Sequence, residues 1–188
     1  REGFDSQITK GLSLKSSYKP FSTIDIINIT SISDINLEHS YDGDWADSSY
    51  WHDNHGFDPA VEYWSYEFYD KNERNRANLT QEIRLSMGSI ILGGYFKHLI
   101  EQDKATGYLF GGVATDATSH YDFQATAGYA QYGLDLTSSF KLKANIRYEK
   151  NSIIYDGSSQ GLNDYWEKIE LPQIHFDINH SMLGYRAS

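Results

Sequence analysis

The sequence contains no cysteine, only three prolines and no apolar run long enough to form a transmembrane helix. A helix needs about 20 consecutive apolar residues to cross a bilayer, so a helical span is excluded. The lack of cysteine excludes disulfides but does not decide the compartment. Basic residues are also scarce: the sequence has 16 Lys and Arg and 26 Asp and Glu, which gives a net charge of -10. Phosphate binding requires a basic surface, so the sequence predicts no nucleic-acid partner.

What the sequence does contain is strict alternation of apolar and polar residues, the pattern of a β-strand with two different faces. The stretch "LTQEIRLSMGSIILGGYF" shows it before the hinge Gly88-Ser89, and a largely apolar strand-like run follows the hinge. One face of its first half carries Leu79, Ile83, Leu85 and Met87, and the other carries Thr80, Glu82, Arg84 and Ser86.

Alternation of this kind predicts an all-β, antiparallel chain of about eight strands. We expect the strands near residues 6–18, 22–37, 77–87, 90–101, 120–134, 139–150, 166–178 and 181–188. Short turns join the first to the second, the third to the fourth, the fifth to the sixth and the seventh, at Asn179-His180, to the eighth. Long polar segments, 38–76, 102–119 and 151–165, separate these pairs.

Alternating short and long connections favour an up-and-down meander in a transmembrane β-barrel, with the short turns at one end. In such a barrel one face of every strand meets lipid, and the other lines a polar lumen. We expect Leu79, Ile83, Leu85, Phe140, Leu142 and Ile146 to point outward, and Glu82, Arg84, Lys141, Lys143 and Arg147 inward. Aromatic girdles of a barrel would use Tyr18, Tyr95, Tyr121, Tyr129, Tyr148 and Tyr185. The alternative is a soluble or surface β-sandwich binding module of the carbohydrate-binding type.

Several stretches resemble TonB-dependent outer-membrane receptors. "NLTQEIRLS" followed by "ILGGYFKHLIEQD" is similar to that family's TQE(L/I)RLS strand and the strand after it. "LTSSFKLKANIRYEK" resembles its strand ending in (L/I)RYE/T, and "INHSMLGYRAS" its later Tyr-Arg-Ala/Gly segment. "YDGDWADSSYW" is similar to its aromatic, acidic extracellular loops.

The resemblance implies a barrel of about 22 strands in the bacterial outer membrane, with a plug domain in its lumen. Residues 1–188 would then form a partial β-barrel domain, and nothing in them resembles the plug. The implied function is active import of a scarce nutrient such as a ferric siderophore. The implied partners are a small-molecule iron chelate, outer-membrane lipid and lipopolysaccharide, and the TonB complex through regions outside these residues.

The long surface loop at 38–76 carries the candidate ligand site. Residues 38–75 of it hold ten acidic residues against two basic ones, and the loop contains three of the four tryptophans. Rigid aromatic faces beside carboxylates suit a sugar or a metal chelate. The candidate ligand-binding residues are Trp45, Trp51, His52, Trp64 and Tyr66.

Metal binding and catalysis find no support in the sequence. The carboxylates of "YDGDWAD" lack the spacing of a calcium loop, and His52 and His55 have no third ligand at a suitable distance along the chain. No nucleophile elbow, zincin motif, phosphate loop or dinucleotide fingerprint occurs. We therefore expect no metal site, no cofactor and no enzymatic activity.

Overall fold

A computed structural model of the chain describes residues 3–43, 48–58, 61, 68–109, 112–137, 140–165 and 167–187. The elements are β1 (Phe4–Phe21), β2 (Ile24–Asp42), α1 (Ser48–His55), β3 (Phe68–Met87), β4 (Ile90–Leu109), β5 (Gly112–Asp135), β6 (Lys141–Leu162), β7 (Lys168–Glu170) and β8 (Ile174–Ala187). No helix in these ranges is long and apolar enough to cross a membrane.

All the strands belong to one antiparallel sheet, in which β1 to β6 each pair with the next strand along the chain and β8 also pairs with β6. This meander confirms the predicted fold class. Only two residues connect β3 and β4, and one of them, Gly88, has φ of +55°. A side chain there would be strained, because L-residues rarely adopt that backbone region. The end of the sheet at Gly88 is called the turn end below, and the opposite end, near α1, the loop end.

The last two strands differ from the prediction. β8 runs unbroken through Asn179 and His180, which pair with Ser152 and Asn151 of β6, so the expected turn at these residues is wrong. The interruption lies instead at residues 171–173, between β7 and β8, which both pair with β6. Pro172 lies in that gap and has no N–H to give to a ladder. The two strands are therefore successive parts of one ladder along β6.

The strands are also longer than predicted, and the connections at the loop end are shorter. The segments 102–119 and 151–165 were expected to be loops, but β4, β5 and β6 extend through most of them. The predicted loop at 38–76 narrows to residues 43–67, because β2 ends at Asp42 and β3 begins at Phe68. Apolar alternation does not reveal these extensions, because they place polar residues on both faces or, as at Ile153-Ile154-Tyr155, apolar residues next to one another.

Pairing register divides the sheet into two faces. Ala125, Ala127 and Asn151 are at most 5% exposed and lie on what we call the inner face. The charged residues predicted to point inward share this face: Glu82, Arg84, Lys141, Lys143 and Arg147. The opposite, outer face carries the predicted outward residues Leu79, Ile83, Leu85, Leu142 and Ile146. Phe140 lies just before β6, in the turn.

The tyrosines do not form one girdle. Tyr18, Tyr148 and Tyr185 lie on the outer face, whereas Tyr95, Tyr121 and Tyr129 lie on the inner face. Their spacing in sequence could not distinguish these positions, because the face depends on the register between strands.

The sheet stays open. β1 pairs only with β2, and β8 only with β6, in the part of the chain that the structure describes. These strands therefore do not close into a small barrel by themselves.

Candidate functional site

Two of the five predicted ligand residues lie on α1, the helix in the loop between β2 and β3. Trp51 contacts His55 with ring centroids 5.0 Å apart. His52 hydrogen-bonds Asp53 at 2.9 Å, and this bond raises the pKa of His52 above its ordinary value. Trp45, Trp64 and Tyr66 lie outside the described residues. The structure therefore places an aromatic and imidazole cluster at the loop end of the sheet.

The inner face near the turn end is charged. The hydroxyl of Tyr129 donates to Glu82 at 2.5 Å, and Arg84 donates to Glu82 at 2.7 Å. A second pair follows across the sheet, where Arg147 donates to Glu149 at 2.9 Å and lies 5.5 Å from the centroid of the Tyr95 ring. These groups saturate one another, so this region is a polar lining rather than a free anion or cation site.

Gly93 makes room for this lining. It pairs with Tyr129 in register, and a Cβ atom on Gly93 would lie 2.0 Å from Cζ of the tyrosine ring. The ring therefore covers the glycine and reaches Glu82 on β3. This close approach explains why one glycine of the "LGGY" stretch faces inward.

The inner face changes character toward the loop end. Six side chains form what we call the inner aromatic patch: Tyr121, Phe123, Ile153, Tyr155, Phe176 and Ile178. Tyr121 and Phe123 stack with an interplanar angle of 7°, and the rings of Tyr155 and Phe176 lie 5.6 Å apart. Phe176 and Ile178 lie on β8, an edge strand whose residues are all exposed. Clustered aromatic side chains beside polar surface are typical of ligand-binding surfaces.

Charged groups border this patch. Lys97 lies 5.6 Å from the Phe123 centroid, a cation–π contact. Arg76 pairs with Glu101 in the same register row as Tyr121. In the next register row toward the loop end, Arg74 donates two hydrogen bonds to Asp103, of 2.6 and 3.0 Å. A ligand on the patch would meet flat apolar faces with charge at the margin.

The apolar positions of the inner aromatic patch can be found from the sequence, but their place on the inner face cannot. The alternation of Tyr121 and Phe123 on β5 was visible, as was that of Ile174, Phe176 and Ile178. An apolar face was expected to meet lipid. The pairing register instead places these residues on the inner face, which they share with Glu82 and Arg84. In the described ranges, no cluster of three or more His, Asp or Glu is arranged to hold a metal.

No protein-family model matches the sequence, and no curated protein matches it. Solved structures do match. The ferric yersiniabactin uptake receptor FyuA of Yersinia pestis aligns with 98% of this chain at a TM-score of 0.72 and 12% identity. The ferric-catecholate import receptor Fiu of E. coli K12 aligns with 98% in its closed form, at a TM-score of 0.54 and 14% identity.

These similarities show the fold, which is that of the β-barrel part of TonB-dependent receptors. The chain spans 26% of the FyuA chain and 30% of the Fiu chain, so it corresponds to about a quarter to a third of such a receptor.

Proposed function

We propose that this chain is part of the wall of an outer-membrane receptor that binds and imports a scarce nutrient of the ferric siderophore type. The observation that carries the proposal is the inner aromatic patch, an exposed apolar surface inside the sheet at the loop end. The similar receptors take up ferric yersiniabactin and ferric catecholates. The proposal assigns binding and transport to this segment, not catalysis.

The outer face supports the membrane location through its apolar belt. From the turn end, the outward residues are apolar as far as Ile83 on β3, where Gln81 interrupts them, and as far as Tyr148 on β6. Ile83 and Tyr148 lie in the same register row. In an outer-membrane barrel an outward apolar belt of this kind faces hydrocarbon.

Strand length supports the same location. Strands of 18 to 24 residues are about twice the roughly 9–11 residues that a tilted strand needs to cross the bilayer. The excess lies at the loop end, beyond the apolar boundary. Outer-membrane barrels place their longer connections on the extracellular side, so the loop end and α1 would face the outside.

The alternative, a soluble β-sandwich, requires a second sheet packed on the apolar face. The described residues form one sheet, and large apolar side chains such as Ile83, Ile146 and Tyr148 stay about half exposed on it. Lipid would cover these side chains in a barrel.

The ligand would contact two surfaces, one after the other. The loop aromatics Trp45, Trp51 and Trp64, with His52 and Tyr66, would meet the chelate first, and the inner aromatic patch would hold it below. Aromatic faces supply contact area at modest entropic cost. The TonB complex, acting through regions outside these residues, would supply the energy for import.

The test uses the full-length receptor in cells grown with little iron. Two variants are compared: Trp45, Trp51 and Trp64 to Ala together, and Tyr155→Ala with Phe176→Ala. Each is expected to lower uptake of radiolabelled ferric yersiniabactin or of a ferric catecholate at least fivefold. The control is Ile154→Ala, since Ile154 lies between two inner residues but points outward. Unchanged binding and uptake in both variants would refute the proposal.

A further inference from the structure

Two arginines on the inner face lie beside the inner aromatic patch, and each is bound to a carboxylate. Arg76 donates to Glu101 in the register row that also holds Tyr121 of the patch. In the next row toward the loop end, Arg74 donates to Asp103, and its Nε lies 3.6 Å from Oε1 of Glu101. We call these four charged side chains the inner ion-pair cluster. It combines two positive with two negative charges, so it is neutral as a whole.

The arginines are the part of the inner ion-pair cluster that a ligand on the inner face can reach. The side chains of Arg74 and Arg76 are 45% and 39% exposed, whereas those of Asp103 and Glu101 are 30% and 15% exposed. A guanidinium group has five N–H donors, and each arginine uses only Nε and one Nη to contact its carboxylate. The remaining donors can bind acceptor atoms of a ligand without offering it net positive charge.

The segment around α1 adds negative charge at the loop end. Residues 38–75 hold ten acidic residues and two basic ones, Lys71 and Arg74. Lys71 contacts Glu38 at 2.7 Å and Glu73 at 2.8 Å, so both basic residues are balanced by carboxylates. Excess charge of one sign repels ligands of the same sign before they make contact. An anionic chelate that approaches from the loop end is therefore disfavoured.

Lys97 differs from the two arginines. Its ammonium lies 5.6 Å from the centroid of the Phe123 ring, and no carboxylate pairs with it among the residues that the structure describes. One ammonium can balance one acidic group of a ligand. It does not balance a ferric complex of three catecholate rings, because the phenolate oxygens of such a complex carry more negative charge than the ferric ion offsets.

We propose that Glu101 and Asp103 determine the charge of the chelate that the inner aromatic patch accepts. Because they neutralise the two guanidinium groups, the patch takes a ferric chelate with flat aromatic or apolar groups and little net charge, and it rejects a strongly anionic catecholate chelate. Without these carboxylates, two adjacent guanidinium groups would form an anion site, since arginine binds oxyanions with paired hydrogen bonds. Specificity of this kind works by excluding the wrong ligand. The inference rests on the proposed function and adds the class of chelate.

The experiment measures equilibrium binding to the full-length receptor in detergent, with two iron-radiolabelled probes of the same shape. Both are ferric complexes of one tripodal scaffold, which carries either three catecholate rings or three hydroxypyridinonate rings. The rings are of equal size, but the catecholate complex is anionic at its iron centre and the hydroxypyridinonate complex is neutral. The readout is the ratio of the two affinities, which a misfolded fraction of the receptor does not change.

The test variant is Glu101→Gln with Asp103→Asn. It keeps the shape of both side chains and an acceptor oxygen for each arginine, but it removes both negative charges. The matched control is Glu73→Gln with Asp122→Asn, the same substitutions on the outer face of β3 and β5. A gain that appears only in the test variant therefore comes from the inner face and not from the net charge of the receptor.

The unchanged receptor and the control variant are expected to prefer the neutral complex at least tenfold. The test variant should lose this preference at least tenfold by gaining affinity for the catecholate complex, and adding Arg74→Gln with Arg76→Gln should abolish the gain. No preference in the unchanged receptor, an unaffected ratio in the test variant, or a gain that survives the loss of both arginines would overturn the inference and leave the proposed function in place. Binding of neither complex to the unchanged receptor would contradict the proposed function, and the inference with it.

Discussion

The half of the sheet nearer the turn end and the half nearer the loop end, called the turn half and the loop half below, carry their apolar side chains on opposite faces. Near the turn end the outer face is apolar, with Ile83, Ile146 and Tyr148, and the inner face is charged. Near the loop end, from β4 to β8, the outer face carries His98, Asp122 and Asp156, and the inner face is aromatic. A bilayer demands an apolar exterior only where hydrocarbon touches it. The inner apolar surface of the loop half has no such cause, which is why we assign it to ligand binding.

The largest effect expected from this comparison comes from placing a charge in each half of the outer face. Ile146→Arg should destabilise the barrel by about 2–4 kcal/mol, because Ile146 lies within the apolar belt. Ile154→Arg, on the same strand and face but in the loop half, should cost about 0–1 kcal/mol. Urea unfolding in lipid vesicles measures both. Equal costs would mean that the two halves do not differ in their contact with lipid.

A smaller effect is expected from filling the space under Tyr129. Gly93→Ala would push the tyrosine ring away from Glu82 and should cost about 1–3 kcal/mol, the usual range for overpacking. Gly94→Ala is the control, because its Cβ would meet Ile83 at an ordinary 3.5 Å. The same unfolding measurement applies. A harmless Gly93→Ala would show that the ring is not needed in this position.

Removing only the hydroxyl of Tyr129 separates its hydrogen bonds from its packing. Tyr129→Phe should cost about 1 kcal/mol, the net contribution of a typical hydrogen bond. Tyr148→Phe removes the same group on the outer face, where no hydrogen bond of Tyr148 occurs among the described residues, and should be nearly neutral. The difference between the unfolding midpoints of the two variants tests whether a tyrosine hydroxyl stabilises the protein more on the inner face than on the outer face.

The smallest effect concerns a single ionisation at the loop end. Lys71 contacts Glu38 at 2.7 Å and Glu73 at 2.8 Å, and its hydrogen bond holds the pKa of Glu73 below the ordinary value. The stabilisation is thus present above the unfolded pKa of Glu73 and is lost as the pH falls through the folded one. Lys71→Met should raise the pKa of Glu73, measured by NMR titration of labelled glutamate. Lys104→Met should raise it less, because Lys104 acts only by weaker charge attraction.

Sequence alternation was enough to predict the strands of the turn half, their faces and the Gly88 hairpin. Leu79, Ile83 and Leu85 must share one face because the side-chain period of a strand is two residues. The same rule aligned Phe140, Leu142 and Ile146, and the structure confirms the last two on the outer face. Polar and apolar residues largely alternate there, so the period of two is enough to assign them to opposite faces.

Tertiary structure decided what alternation leaves open. The strand β8 passes through Asn179 and His180 because β6 supplies ladder partners for them, a fact that no local pattern shows. Tyr121 and Phe176 could have faced lipid as easily as the lumen, since a one-residue change of register exchanges the faces. The inner aromatic patch exists only because β5, β6 and β8 place their side chains in common rows. The sequence by itself determined that there are two faces, and pairing between strands decided which side each residue serves.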